Sequence, residues 1–517
     1  MAAAQGPGRA ETPLDPSGRL RSVVSDCVHC GFCLPSCPTY QLWGEEMDSP
    51  RGRIYLIKQI LDGTEGSEAA ATHLDRCLGC MACVTACPSG VRYDRLIEAA
   101  RGWAEERPPV AANGAPDAHG GPAGPAAAPV LPPRSRRDRA IRAAIFRTFP
   151  YPRRLRAAIA PLRAAQRTGL DALIDRSGLA DRLAPELASA LRLAPRPRPA
   201  GRRRVAARAG DPGGAGSTGG VGTGRAGGVG TGSTGGTARR RARGGALPER
   251  IPARGPRRAT VGMLTGCVQR VFFPQVNAAT ARVLAAEGCD VIIPADQGCC
   301  GALSLHGGRT AEAIRFARQA IETFERAGVD AIVVNVAGCG SAMKEYRDLL
   351  ADDPEWSERA AGLAARVRDL SEFLAELGPA APRHPLDVTV AYHPACHLAH
   401  AQRITAQPRE LLAAIPGLSL AEIADAGTCC GSAGIYNLVQ PEPARELGRR
   451  KAANVAATGA GLLVTANPGC AMQIASSLAG TGTPMPMAHI AEVLDASIRG
   501  ADVATLLTSA TSPRPAP

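Results

Sequence analysis

"CVHCGFCLPSCP", residues 27–38, spaces four cysteines as C-x2-C-x2-C-x3-C and follows the last with proline; "CLGCMACVTACP", residues 77–88, repeats that spacing. Three closely spaced thiolates can wrap one face of an iron–sulfur cube, while the fourth, further along and turned by proline, points to a neighbouring cluster. The repetition predicts two 4Fe-4S clusters with crossed ligands: Cys27, Cys30, Cys33 and Cys87 on one, and Cys77, Cys80, Cys83 and Cys37 on the other. Paired C-x2-C elements also make zinc sites, but four-coordinate zinc has no use for the fourth thiol of each run or its proline. Two clusters so held sit close together and make the front of the chain a short electron wire.

At 517 residues the chain is too long for a single core, and its 45% hydrophobic content is enough for several. No apolar run is long enough to span a bilayer. The opening "MAAAQGPGRAETPLDPSG" lacks the apolar core of a secretory signal, so the chain reads as cytoplasmic, held at the inner face of the membrane only through partners. In that compartment seventeen cysteines point to metal or redox chemistry rather than to disulfides.

The formal charge of +13 would ordinarily raise nucleic acid as a partner. Residues 196–258, however, hold fifteen arginines and only two acids, so this segment carries the whole excess. Its Gly/Ser/Thr repeats cannot bury enough apolar surface to fold, and it has no aromatic side chain to stack on a base. It reads as a disordered linker rather than an RNA-binding tail. A Pro/Ala/Gly stretch at 108–134 reads as another linker, and the Arg-rich residues 135–195 between the two read as amphipathic helices.

Beyond residue 258 short apolar runs alternate with helical patterns, the mark of α/β layers. "ATVGMLTGC", "DVIIPADQGCC" and "DAIVVNVAGC" read as strands separated by helices, and "DVTVAYHPAC", "LSLAEIADAGTCC" and "AGLLVTANPGC" repeat the order. Cys267, Cys299, Cys300 and Cys339 of the first unit recur as Cys396, Cys429, Cys430 and Cys470 of the second, with 31 and 32 residues before each Cys-Cys pair and 38 and 39 after it. Strand carboxyl ends share one edge of a parallel sheet, so four thiols should converge in each unit as a cluster or redox site. Cys289, unmatched, reads as plain core. His393, His397 and His400 gather around Cys396, where each could ligate iron, relay a proton or serve only the loop.

A 4Fe-4S centre passes one electron at a time, so two-electron oxidation of an organic molecule needs a flavin; no nucleotide-binding loop is present, which places that flavin on another subunit. The runs "CVHCGFCLPSCPTYQLWGEEMDSPRGRIYLIKQIL", "HLDRCLGCMACVTACPSGVRY", "CCGSAGIYNL" and "TANPGC" resemble the iron-sulfur subunit of bacterial glycolate oxidase, with the cysteine-rich CCG domain shared by a wider group. The resemblance implies a multidomain chain. A helical ferredoxin-like domain with two 4Fe-4S clusters (1–107) leads, through 108–134, 135–195 and 196–258, to tandem α/β CCG repeats at 259–385 and 386–500 and a tail at 501–517. It implies an electron-transfer role in an oxidoreductase complex whose FAD-containing subunits oxidise glycolate to glyoxylate, with electrons passed on toward quinone. Lactate, glycerol 3-phosphate and heterodisulfide complexes are the alternative clients within the group. Heterodisulfide-reductase-type repeats end in C-x2-C, whereas Cys339 and Cys470 stand alone, so each repeat here offers four thiols.

Overall fold

The computed structural model describes residues 14–15, 18–63, 67–106, 135–177, 185–195 and 247–509. The linker expected at 108–134 and most of that at 196–258 lie outside the described residues. The described residues of 18–195 and 249–509 belong to one compact unit, so the front domain, the Arg-rich helices and both repeats share a body.

The front domain is helical around its two cysteine loops. Ser49 caps the helix Pro50–Leu61 by accepting a hydrogen bond from the Gly52 N–H, with Pro50 at the first turn where a missing donor costs nothing. Gly52 is required there, because a Cβ would stand 2.0 Å from the Glu46 carbonyl oxygen. Ile57 and Leu61 of this helix, Leu74 of Ser67–Arg76, and Leu96, Ile97 and Ala100 of Tyr93–Glu106 close one apolar core beneath the loops.

The first repeat is built on β1 (Arg250–Ile251), β2 (Ala259–Leu264), β3 (Cys289–Ile292), β4 (Ala331–Val334) and β5 (Val367–Asp369), in the order β1-β3-β2-β4-β5. The second uses β6 (Val388–His393), β7 (Leu418–Ala421), β8 (Leu462–Thr465) and β9 (Met487–His489), in the order β7-β6-β8-β9. All pairings are parallel except β1 on β3, and the shared order with the first strand inside makes the two repeats copies of one unit.

The fold departs from the expected pattern at three places. Each repeat has a fourth strand, β5 or β9, only three residues long and turned at once into a helix by a capping box, Asp369 with Glu372 and His489 with Glu492. The end of the segment read as linker is folded: β1 pairs with β3, and the Asp290 carboxylate accepts hydrogen bonds from Arg250 and the Ala253 N–H. The segment read as a tail begins with a helix, Val503–Ser509, whose Leu506 is buried.

The Arg-rich segment is helical as expected, at Arg136–Thr148, Pro152–Ala158, Ala160–Thr168, Leu170–Ser177 and Pro185–Leu193. It is packed onto the repeats rather than free. Ile145 and Phe146 join Ile435 and Leu438 in one apolar cluster, and Arg163 donates to the Val271 carbonyl.

Candidate functional site

Both cysteine loops curl by the same backbone device. In C27-V-H-C30-G and C77-L-G-C80-M, the residue before the second cysteine and the one after it take left-handed φ: His29 at 54° and Gly31 at 85°, Gly79 at 62° and Met81 at 62°. His29 and Met81 do so without being glycine, a strain that persists only where the surroundings over-determine it. The curl folds each cysteine loop back on itself. The charges of Cys87 and Cys30 act on Cys27, those of Cys27 and Cys37 on Cys33, and Cys83 feels Cys80, Cys77, Cys37 and Cys33 in addition to burial. These eight cysteines, none of them in a disulfide, lie close enough to one another to fit the two four-sulfur sets expected from their spacing.

The two sets live in different surroundings. In the outer set Cys30 is exposed, flanked by Val28 at 69% exposure and Phe32 at 68%. In the inner set Cys37, Cys77, Cys80 and Cys83 are all buried. Burial works against ionisation of Cys77, yet its thiol lies below the ordinary value because Arg53 and Arg101 stand beside it and the Gly79 N–H and Tyr93 hydroxyl donate to its sulfur. Arg53 is 1% exposed, donating to Asp48 at 3.2 Å, Thr39 at 3.1 Å and the His73 carbonyl at 2.6 Å. Asp48 also binds Arg76 and His73, each at 2.9 Å. A fixed cation is thereby held beside Cys77, where it would offset the negative charge of a thiolate-bound centre. The sequence reading missed Arg53; its signal was an arginine on the apolar face of "SPRGRIYLIKQIL".

The inner set abuts the second repeat. Leu78, Cys80 and Ala82 share an apolar cluster with Cys396, Cys429 and Tyr436, and after burial the charge of Cys396 is the largest influence raising the Cys80 thiol. Thr85 and His400 are 3.0 Å apart across this junction, with the other His400 nitrogen 2.9 Å from the Gly427 carbonyl oxygen. Of the three histidines flagged near Cys396, His400 is therefore a strut between domains. His397 Nδ1 lies 3.6 Å from Cys396 Sγ, and its ring packs 4.8 Å from that of His306. His393 lies deeper, 1% exposed, its imidazole pushed down to about 3 by burial and by Lys451.

In both repeats the cysteines gather at the carboxyl edge of the sheet. Cys267 and Cys299 sulfurs are 3.5 Å apart, and the Gly301 N–H donates to Cys299 Sγ at 3.4 Å. Cys339 and Cys470 sit in the first turns of the helices Ala337–Lys344 and Pro468–Gly480, and the Asn467 amide donates to Cys470 Sγ. Cys267 is pushed well up by its bond with Cys299 and then by burial; Cys396 is pushed up in the same way by Cys429. Burial and mutual contact likewise raise Cys299, Cys300, Cys339, Cys429 and Cys430, so a metal would have to displace the protons these thiols hold. The two edges face each other: the Ala337 N–H donates to the Ala466 carbonyl and His489 Nε2 lies 2.8 Å from the Asn335 carbonyl oxygen. Cys289, fully buried at the start of β3 and pushed up to about 11 by burial, is core as expected. Among the described residues no helix is long and apolar enough to cross a membrane.

Comparison with known proteins agrees with this division. Residues 23–91 match the 4Fe-4S dicluster domain, residues 261–344 and 390–475 the cysteine-rich domain, and residues 137–194 the linker region of the glycolate oxidase iron-sulfur subunit. The chain is 34% identical over 484 residues to the probable glycolate oxidase iron-sulfur subunit of Bacillus subtilis (strain 168), covering 91% of this chain and 93% of the relative. It is 32% identical to the glycolate oxidase iron-sulfur subunit of Escherichia coli (strain K12), covering 88% and 91%. Lactate utilization protein A of Shouchella clausii (strain KSM-K16) is 33% identical over 46% of this chain and 98% of its own length. With near-complete coverage, and with even the Arg-rich helices matching a region particular to that subunit, the chain belongs to the family of glycolate oxidase iron-sulfur subunits.

Proposed function

We propose that this chain is the electron-transfer subunit of a complex in which flavin-containing partners oxidise glycolate to glyoxylate and electrons leave toward quinone. The observation that carries the reading is the run of thiols from an exposed set at Cys30 to a buried set at Cys80 and on to Cys396 of the second repeat. Cys27, Cys30, Cys33 and Cys87 would hold one 4Fe-4S cluster, and Cys77, Cys80, Cys83 and Cys37 the other. When bound, each supplies a reversible one-electron store.

The chain's own residues do the rest. Val28 and Phe32 offer an apolar collar where the flavin partner can approach Cys30. Arg53 and Arg101 hold positive charge beside Cys77, and the apolar packing of Leu78 and Tyr436 keeps water from the inner set. The quartets Cys267, Cys299, Cys300, Cys339 and Cys396, Cys429, Cys430, Cys470 are candidate cluster-holding or redox thiols. FAD belongs to the partner, and attachment at the inner face of the membrane is through partners.

The whole-length likeness to glycolate oxidase subunits favours glycolate, while the half-length likeness to lactate utilization proteins makes lactate the second client. An anaerobic pull-down of the tagged chain from its host, followed by low-temperature EPR before and after substrate, tests both. Reduced-cluster signals with glycolate support the reading; signals with lactate alone change the client, and a preparation without iron or partner ends it.

A further inference from the structure

Two buried polar side chains stand near the second thiol quartet where the first repeat has apolar ones. β6 ends in His393 where β2 ends in Leu264, three residues before Cys396 and Cys267 respectively. The helix behind each Cys-Cys pair gives the second match. Ala313 backs Gly301 and Ala444 backs Gly431, and the same alignment sets Lys451 opposite Ala320. His393 and Lys451 are 1% and 2% exposed.

Neither ring nitrogen of His393 has a hydrogen-bond partner. An unsatisfied buried polar group costs about 1–3 kcal/mol, a cost the first repeat avoids with leucine. A ligand is therefore the natural partner. One ring nitrogen of His393 and the sulfurs of Cys430 and Cys470 lie within 4.8 Å of one another, all three residues buried. Donors on a tetrahedral metal with nitrogen at about 2.0 Å and sulfur at about 2.3 Å stand roughly 3.5 Å apart, so small side-chain rotations close the site. The Lys451 ammonium, held by the carbonyls of Asp425 and Ala426, is close enough to Cys430 and Cys470 to feel their charge. It would offset the negative charge of two bound thiolates.

We propose that the second repeat, and not the first, holds a thiophilic metal, iron or zinc, through His393, Cys430 and Cys470, with Lys451 as its counter-cation. The proposal rests on reading the second quartet as a metal-holding site, and it is independent of which hydroxy acid feeds the complex.

The test uses the full chain, purified anaerobically after growth with both iron and zinc. Metal content and nitrogen coordination are measured on wild type, His393→Leu, which installs the first repeat's residue, and His393→Cys, which restores a donor. The expected result is loss of about one equivalent of zinc, or of the iron in excess of the roughly eight atoms of two front clusters, in His393→Leu and its recovery in His393→Cys. Loss of zinc alone identifies a zinc site, and loss of iron alone an iron site. Wild type should show an imidazole shell at the zinc absorption edge, or nitrogen hyperfine coupling on the additional iron. Unchanged metal in His393→Leu, or a wild type with neither zinc nor iron beyond the front clusters, overturns the proposal. If His393→Leu does not fold, the wild-type spectra alone decide. Front-cluster EPR on the same samples reports the dicluster reading separately, since absence of those signals would overturn that reading while leaving the zinc measurement intact.

Discussion

The two repeats share a sheet order, a cysteine pattern and a fold, yet they occupy different chemical positions. The first surrounds its quartet with its own core: Leu264, Phe316, Val334 and Tyr346 lie in one cluster with Cys267, Cys299 and Cys300, and the Tyr346 hydroxyl donates to the Cys300 carbonyl. The second opens its quartet to the front domain, with Cys80 packed against Cys396 and Cys429. Duplication supplied two equivalent edges, and the packing of Cys80 against the cysteines of one of them made them unequal. A shared cysteine pattern therefore does not fix the surroundings of each copy; tertiary contacts do.

The sharpest way to break this comparison is to remove one cysteine from each repeat. Cys430→Ser is expected to lower glycolate-driven electron transfer by at least about 10–100-fold, since losing a ligand should cost no less than losing one of the groups that orient it. Cys300→Ser is expected to stay within about threefold of wild type in a dye-reduction assay of the whole complex, because its quartet lies off the line from the front domain. Equal losses would mean that both quartets take part.

Next in size is the support beneath the inner set. Arg53→Met leaves Asp48 buried with only His73 and Arg76, and breaking a buried pair in this way costs about 3–5 kcal/mol. Urea unfolding of the iron-loaded chain should show this, with early loss of iron from the inner set. Retained stability and iron would remove Arg53 from its role.

A smaller effect sharpens the comparison between repeats at one matched backbone position. Gly301 and Gly431 both have positive φ, 81° and 87°, but a Cβ would meet the helix carbonyl at 3.1 Å in the first and 2.6 Å in the second. Alanine at either carries left-handed strain of about 1–3 kcal/mol, and Gly431→Ala should be the costlier of the two in thermal unfolding. The reverse order would mean that the second repeat yields more easily behind its Cys-Cys pair.

The smallest effect concerns the front domain's contact with the first repeat. Burial, with Asp94 adding, pushes the Glu98 carboxyl up to about 8, while Arg101 and Arg92 oppose the shift; His306 lies 3.0 Å away. A carboxyl whose folded value exceeds its unfolded value of about 4.3 binds more protons folded than unfolded, so its stabilisation is full below that value and declines as pH rises toward 8. With Glu98 still 15% exposed, the slope should be less than about 1.4 kcal/mol per pH unit. Glu98→Gln should flatten the profile between pH 5 and 8, and an unchanged profile would place the titrating group elsewhere.

By itself the sequence determined the parts whose signals are local. The eight front cysteines, the three longer strands of each repeat and the matched cysteine positions follow from spacing and from alternating texture. Local signals failed where an element was too short to carry a period. β5 and β9 are three residues long, and β1 is two residues inside an arginine-rich stretch. Only the tertiary structure decided which quartet adjoins the inner cysteines, which of three neighbouring histidines is a strut and which faces sulfur, and that Arg53 lies beneath Cys77. Those outcomes depend on contacts between residues up to several hundred positions apart, such as Cys80 with Cys396, and on burial, which no spacing along a chain encodes.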